Sequence, residues 1–294
     1  MNEIATIKAD ADDLNRMIEK ASGGHHEDLL IRVADGNVST LMQTYGRQVV
    51  SYCDFDGEYF DDVTGECEAI MPVGGQGMDS EGFRDYMKFA EGSGTVKITF
   101  LNEGERGRNA PLATRWRAEG SLTTELRLDA GDEDLDAVPW DHPPRWTPDN
   151  QYASKRCLTD DGTLPEDEDE WIVGPVVIQT TADTIREKII EPANFVDGYD
   201  AFPITVEDGE FAVKVEGKQQ DNSIRGPVNA ESVEGPDAQR EFKPGFEDVF
   251  GSLSGQIRLQ TAPGGDGSTS PPMSVVQETT THTVRHLLSA LVEQ

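Results

Sequence analysis

The amino-acid sequence predicts an α+β protein of two similar domains, with much more strand than helix. Three observations predict this class. One order of elements occurs twice along the chain, each copy has apolar alternation around an Asp-Gly pair, and an acidic, proline-rich segment separates the copies. A chain of 294 residues with 36% hydrophobic residues is long enough to fill two modest cores. We therefore expect short helices against long antiparallel sheets in each half.

Each copy begins with a short strand that leads into an Asp-rich helix start, at residues 7–14 in the first half and 178–185 in the second. Asp35-Gly36 and Asp208-Gly209 then lie between alternating apolar residues, which predicts a β-hairpin in each copy. Later segments keep the same order at a nearly constant offset. Alternating strands at residues 122–128 and 283–288 close the two copies. A second helix in each copy is predicted between the hairpins.

The segment between the copies has the composition of a linker. Residues 129–172 are rich in Asp, Glu and Pro, and Trp140 and Trp146 lie among the prolines. Exposed tryptophan is unfavourable in a solvated linker, so this segment should contact the body of the protein. We predict an N-terminal domain at 1–128, a connecting segment at 129–172 and a C-terminal domain at 173–294.

The net charge of the chain is strongly negative. Asp and Glu total 56 against 25 Lys and Arg, which gives a formal charge of -31. Self-repulsion of such a surface opposes compaction in ordinary buffer, whereas the Debye length falls to about 3 Å in 1 M salt. Because the acids are spread along the chain, we interpret them as the surface of a salt-adapted protein. A DNA-mimicking inhibitor is the alternative.

Cysteine usage and hydropathy predict a cytoplasmic location, in a high-salt cytoplasm. Cys53, Cys67 and Cys157 are odd in number and lack metal-ligand spacing, so neither a disulfide framework nor a zinc site is indicated. No apolar run approaches the roughly 18 residues of a membrane span. Residues 1–10 lack the charged and apolar regions of a signal peptide.

No motif indicates an enzyme, a cofactor or a metal site. His25 and His26 are adjacent, and no pair of histidines has the i, i+4 spacing of a helical metal site. The glycines at 74–77 lack the Lys and Ser or Thr that follow in a phosphate-binding loop. Paired carboxylates are too numerous in this chain to single out. A hydrolase on an α+β scaffold is the least favoured alternative.

The scarce basic residues recur on the predicted helices. A spacing of four places Arg16 with Lys20, and Arg84 with Lys88, on one helical face. The later helices contribute Arg186, Lys188 and Lys243. Two uses are compatible with these positions, namely contact with phosphates and i, i+4 pairing with neighbouring acids.

The order of elements and the C-terminal residues resemble sliding clamps of the proliferating cell nuclear antigen (PCNA) family. Members typically end Val-x-Tyr-x-Leu-Ala-Pro-basic-Ile, and residues 284–292 are Val-Arg-His-Leu-Leu-Ser-Ala-Leu-Val. His286 therefore stands where Tyr is usual, and Ser289-Ala290 where Ala-Pro is usual. The chain is similar to a divergent, halophilic archaeal member, and a virus of a salt-loving archaeon is one possible origin.

The resemblance implies a ring-forming, two-domain clamp whose short inner helices are backed by antiparallel sheets. Three protomers would encircle double-stranded DNA, with the seven basic residues named above facing its phosphates without reading bases. Topology would hold such a ring on DNA even in high salt, where phosphate contacts weaken. The alternative is an acidic interaction protein, a decoy or DNA mimic, that keeps the fold but forms no functional ring.

The resemblance also implies partners. A DNA polymerase and other replication proteins would dock short clamp-binding peptides, and a clamp loader would place the ring on DNA. The partner-peptide pocket would draw on Met42, Tyr45, Leu135, Val138, Trp140, Ala290, Leu291 and Val292.

Overall fold

The computed structural model describes residues 2–24, 29–43, 49–71, 86, 90, 94–102, 113–119, 124–129, 145–147, 150–153, 175–194, 196, 202–216, 223–242, 246–261 and 273–288. Strands dominate this part of the chain. They are β1 (Asn2–Asp10), β2 (Leu29–Ala34), β3 (Asn37–Gln43), β4 (Val49–Phe55), β5 (Asp62–Gly65), β6 (Cys67–Met71), β7 (Thr95–Asn102), β8 (Ala113–Glu119), β9 (Thr124–Asp129), β10 (Arg145–Thr147), β11 (Asn150–Ala153), β12 (Val176–Thr181), β13 (Phe202–Glu207), β14 (Glu210–Glu216), β15 (Ser223–Pro227), β16 (Ser232–Glu234), β17 (Ala238–Phe242), β18 (Gln256–Thr261), β19 (Met273–Glu278) and β20 (His282–Leu288).

The helices are short. They are α1 (Ala11–Ser22), a 3-10 turn (Gly57–Tyr59), α2 (Ala182–Ile185), a π-helical turn (Arg186–Ile190), α3 (Glu191–Asn194) and α4 (Phe246–Ser252). None of the helices that the structure describes is long and apolar enough to cross a membrane. The predicted α+β class is confirmed.

The described residues form two compact units. The first contains those within Met1–Thr44, Ser51–Trp140 and Thr279–Val284, and the second contains those within Tyr45–Val50, Asp141–Glu278 and Arg285–Gln294. The turn before β20 thus belongs with the N-terminal unit, although the repeat assigns it to the C-terminal copy. Most of the predicted connecting segment at 129–172 lies outside the described residues, so its boundaries stay a prediction.

The two units share one strand order. The first has a sheet ordered β5-β1-β7-β8-β9 and the strand series β4-β3-β2-β6. The second has the series β16-β12-β18-β19-β20 and a sheet ordered β15-β14-β13-β17. Each strand of the first unit has a counterpart at the same place in the second, in the same sequence order. The internal repeat therefore corresponds to a repeated topology.

Both predicted Asp-Gly hairpins are present. The backbone has positive φ at Asp35 (52°) and Gly36 (77°), and again at Asp208 (52°) and Gly209 (76°). Two consecutive positive φ angles define the turn whose twist suits two-residue hairpins, and Asp-Gly tolerates it. The same type of turn therefore connects the strands of the β2–β3 and β13–β14 hairpins.

Each unit has its own apolar core. In the first, α1 buries Leu14 and Met17, and the five-stranded sheet buries Ile7, Ile98 and Trp116. In the second, the buried residues include Ile178 of β12, Ile185 and Ile189 of the first helix, and Phe246 and Phe250 of α4. Apolar burial on this scale contributes about 1.5–3 kcal/mol for each large side chain.

Candidate functional site

The exposed side of α1 carries one cation among several acids. Arg16 exposes 64% of its side chain, and its guanidinium lies 3.2 Å from the carboxylate of Asp13. Asp12 and Glu19 are exposed on the same helix. The helix begins where the side chain of Asp10 accepts the N–H of Asp12 at 2.9 Å. Arg16 is therefore exposed to solvent and also pairs with a neighbouring acid. Both predicted uses, contact with phosphates and pairing with acids, are compatible with this position.

Lys20 is not on that exposed side, which corrects the predicted pairing with Arg16. Lys20 is buried, and its Nζ lies 2.7 Å from Nε2 of His282. Burial lowers the pKa of this amine, and the nearby Arg16 lowers it further, against an opposing effect of Cys53. An amine engaged inside the unit does not favour contact with an external phosphate.

His282 lies in a pocket of aromatic rings. Its ring stacks on Phe55, with centroids 5.6 Å apart at 25°, and meets the edge of Tyr59 at 5.4 Å. A charged lysine can only donate, so Nε2 accepts from Lys20, and Nδ1 carries the proton toward the hydroxyl of Thr279 at 2.9 Å. Burial, and then the charge of Lys20, lowers the pKa of His282 to about 4. The ring is therefore neutral near pH 7.

The basic residues of the second unit's helix also lie beside acids. Arg186 forms an ion pair with Asp183, three residues earlier, at the start of the helix. Lys188 is exposed, as is the adjacent Glu187. Whether any of these side chains contacts DNA stays a prediction. Arg84, Lys88 and Lys243 lie outside the described residues.

One helix predicted from the sequence is described at two positions only. Tyr86 and Ala90 are both helical and both buried. A spacing of four residues places them on one helical face.

The predicted peptide pocket is described at one residue, Met42, and the structure places it in the core. Leu30 lies opposite Leu41 in the β2–β3 register and opposite Ile70 in the β2–β6 register. Side chains alternate along a strand, so Met42 lies on the other face, and it is 1% exposed. The hydroxyl of Ser39 donates to the carboxylate of Asp54 at 2.6 Å on the face of Leu41, so Cys53 lies on the face of Met42. There its thiol lies 3.8 Å from the carbonyl of Lys20 in α1.

Leu41 therefore lies on the opposite face of β3, and it too is buried, with 7% of its surface exposed. The other predicted pocket residues lie outside the described part of the chain: Tyr45, Leu135, Val138, Trp140, Ala290, Leu291 and Val292.

The described thiols have the character of core residues. Cys53 and Cys67 are free and buried. Burial raises the pKa of Cys67 to about 12, with Glu68 adding to the effect against a backbone hydrogen bond from Val33. Such a thiol stays protonated and is a poor nucleophile. In the described residues, no three His, Cys, Asp or Glu side chains form a group that could hold a metal ion.

Comparison with solved structures finds PCNA sliding clamps over the full length of the chain. PCNA from Thermococcus kodakaraensis superposes with a TM-score of 0.66 at 13% identity, covering 98% of this chain and 100% of that one. Archaeoglobus fulgidus PCNA, solved with the C-terminal region of FEN-1, gives 0.65 at 12% identity, with 99% and 100% covered. The PCNA2–PCNA3 complex of Sulfolobus tokodaii gives 0.64 at 11% identity, with 98% and 100% covered.

These similarities show the fold. The chain has the α+β fold of a PCNA sliding clamp, as the resemblance in the sequence implied. No known family profile matches the sequence. No curated protein matches it either.

Proposed function

We propose that this protein is a DNA sliding clamp, a non-enzymatic ring that encircles duplex DNA and tethers replication proteins. The observation that carries the proposal is the clamp fold over 98–99% of this chain, in which both copies of the repeat take part. A clamp requires neither a catalytic group nor a cofactor. Its chemistry is enclosure and docking.

Ring closure is supported by a difference between otherwise equivalent strands. In the first unit, β4 neighbours the start of β20, whose residues up to Val284 belong to that unit. There the N–H of Asp56 donates to the carbonyl of Thr281 at 2.8 Å. The repeat makes β15 the counterpart of β4, and β9 the counterpart of β20.

Within the described part of the chain, β9 and β15 each end a sheet with no second neighbour. Unpaired strand edges invite pairing with another chain. The β9 strand of one copy would pair with the β15 strand of its neighbour, and the same contact would repeat around the ring. Such a head-to-tail contact closes when the rotation per copy permits, and we propose three copies.

Retention on DNA would come from enclosure more than from attraction. The described helices expose acids beside their cations, and phosphate contacts weaken steeply as salt rises. Partner proteins would dock short peptides on the clamp, as the FEN-1 segment does on the A. fulgidus protein. The predicted pocket residues are the candidates for that contact.

A threading assay tests enclosure without a clamp loader. One end of a long duplex is immobilised, the protein is added to thread over the free end, and that end is then blocked with a bulky protein. We expect the clamp to survive a high-salt wash and to leave when a nuclease cuts the duplex. Equal loss from blocked and unblocked DNA would contradict the proposal.

Proline variants of β15 provide matched controls for ring closure. Adjacent residues of a strand direct their N–H groups to opposite sides of the strand. Of the two variants Ile224→Pro and Arg225→Pro, one therefore removes a hydrogen bond to β14, and the other removes an N–H donor at the free edge of the sheet. The free-edge variant should stay folded, lose threading and fall in mass by light scattering. A mass unchanged in both variants would place the ring contact elsewhere.

The acids exposed on the described helices favour one second candidate, an acidic interaction protein with the clamp fold and no ring. That candidate predicts a monomer in concentrated KCl and no retention on blocked DNA. The threading assay therefore separates the two.

A further inference from the structure

One face of the five-stranded sheet in the first unit carries an unusual group of cations. Alternate residues of β1, β7 and β8 fill the core, among them Ile7, Ile98 and Trp116, each 0% exposed. The residues next to these lie on the opposite face of the sheet. Lys8, Lys97 and Arg117 occupy those positions.

The register places these cations directly opposite one another. Lys8 pairs with Lys97, and Lys97 pairs with Arg117, so like charges form a row across three neighbouring strands. Arg115 lies one row further along the same face. Like charges directly opposite in a sheet repel one another. Four of the 25 Lys and Arg residues of a chain with net charge -31 thus lie together on one sheet face.

Acidic positions surround this basic face instead of interrupting it. The carboxylate of Glu3 lies 4.0 Å from Lys97 and 3.9 Å from Arg115, at the end of the row. The register places the other acids on edge strands or at strand ends: Asp10, Asp62, Glu119, Glu125 and Asp129. The cations therefore occupy the middle of the face, and the acids occupy its margins.

The fold itself does not require this face to be basic. In the second unit, the equivalent row runs from Gln179 to Arg258 to Val276. It holds a single cation, whose guanidinium lies 3.6 Å from Glu278. Two copies of one topology thus differ in charge at matching positions, so a cause specific to the first unit is needed.

We propose that the basic face of β1, β7 and β8 binds the phosphate backbone of a nucleic acid, independently of base sequence. Guanidinium groups match phosphate oxygens in a planar, bidentate geometry. Neighbouring strands are about 4.8 Å apart and alternate residues about 6.6 Å apart, which offers a row of phosphates several cations at once. A bound polyanion offsets the repulsion within the row. This site lies on the sheet face opposite the core and does not depend on ring formation.

Binding of a short, labelled, linear oligonucleotide tests the site, because a ring would slide off such a molecule. Fluorescence anisotropy is followed while KCl is lowered through the range in which the circular dichroism spectrum is constant. We expect Lys97→Gln with Arg117→Gln to weaken binding about tenfold and to reduce the slope of log affinity against log salt by about two, one for each lost phosphate contact.

A matched control defines the site. Arg258→Gln removes a cation from the equivalent row of the second unit, and it should leave affinity within about twofold. The folding stability of each variant is measured alongside, so that a loss of affinity is separated from a loss of structure. If the double variant fails to fold, the exposed Lys8→Gln serves in its place.

Three results would overturn the proposal: unchanged affinity in the double variant, an equal or larger loss in Arg258→Gln, or tighter binding of an oligoglutamate peptide than of the oligonucleotide. The last would assign the face to an acidic protein. Because the assay needs no enclosure, its failure leaves the clamp proposal standing, and a failed threading assay leaves this one standing.

Discussion

The two units share one strand order, yet they differ in their helices and in the charge of their sheet faces. Their backbones agree where the topology constrains them. The N–H of Ala11 donates to the carbonyl of Gly94 at 2.7 Å, and that of Ala182 donates to Gly255 at 3.0 Å, each closing the same junction between helix and strand. The two units thus share this backbone hydrogen bond between helix and strand, whereas side chains elsewhere in the two units differ.

The first helices show how one residue changes a shared element. Helix α1 is continuous and ends at Gly23 in the left-handed conformation. Its counterpart is interrupted by the π-helical turn just before Pro192. Proline has no N–H, and its ring collides with the carbonyl four residues earlier, so the turn widens. Ala21 holds the matching place in α1.

The Lys20–His282 contact belongs to the first unit alone. At the position that matches Lys20, the second unit has Glu191, which is exposed. Lys20 instead holds the turn before β20, together with the aromatic rings around His282. The first unit includes the turn between β19 and β20, and this contact is a feature of that unit.

The largest expected effect tests what the units have in common. Gly65 and Gly235 have φ of 77° and 105°, and a Cβ at either would collide with a backbone carbonyl oxygen, of Ile4 or Pro175. We expect Gly65→Ala and Gly235→Ala each to lower the free energy of unfolding by about 3–5 kcal/mol, since left-handed strain and overpacking add. Chemical denaturation in concentrated KCl measures both.

Gly36→Ala is the matched control for this pair. Gly36 also has a positive φ, of 77°, but no atom lies within 4 Å of an added Cβ. It should cost only about 1 kcal/mol, the left-handed strain alone. Equal losses at all three glycines would show that collision with the neighbouring strand is not what fixes these positions.

A proline exchange sharpens the comparison of the helices. Ala21→Pro should cost about 3 kcal/mol, because α1 would lose a hydrogen bond and suffer the ring collision without a prepared π turn. The reciprocal Pro192→Ala should change stability by less than about 1 kcal/mol, since the widened turn already exists. Thermal and chemical unfolding of the two variants would compare them. A similar, small effect of both would mean that α1 can widen as readily as its counterpart.

The smallest expected effect is a pH dependence confined to the first unit. His282 has a folded-state pKa of about 4 against an ordinary value of 6.5, so the unfolded chain binds its proton first as pH falls. The stabilisation is complete above pH 6.5 and is lost between about 6.5 and 4. Because the ring is partly exposed, we expect only about 1–2 kcal/mol.

The variant His282→Gln separates the contribution of His282 to the pH dependence of stability from that of the many carboxylates, which titrate in an adjacent pH range. Glutamine keeps an acceptor for Lys20 but does not titrate. The difference in unfolding free energy between the two proteins should shrink as pH falls from 6.5 to 4. A constant difference across that window would remove His282 as its source.

The sequence predicted the parts of this fold that local rules govern. Asp-Gly between alternating apolar residues specifies a hairpin, and Asp10 followed by the spacing of Leu14, Met17 and Ile18 specifies a capped helix. Because the order of such elements occurred twice, the duplicated α+β class followed. The basic face was within reach too, since alternation in β1, β7 and β8 places its cations on one side, but the pairing of those strands was needed to put them in a row.

Only the tertiary structure decided which side chains meet. Helical spacing placed Lys20 with Arg16, yet burial against a histidine 262 residues away removed it from the exposed face. The resemblance placed Met42 in a pocket, and alternation alone could not tell that its face of β3 packs on α1, where Met42 is buried. Periodicity in a sequence determines that two faces exist. Which face is buried depends on contacts between segments that are distant in the sequence. The free energy of those contacts comes from side-chain packing, which a local sequence pattern does not specify.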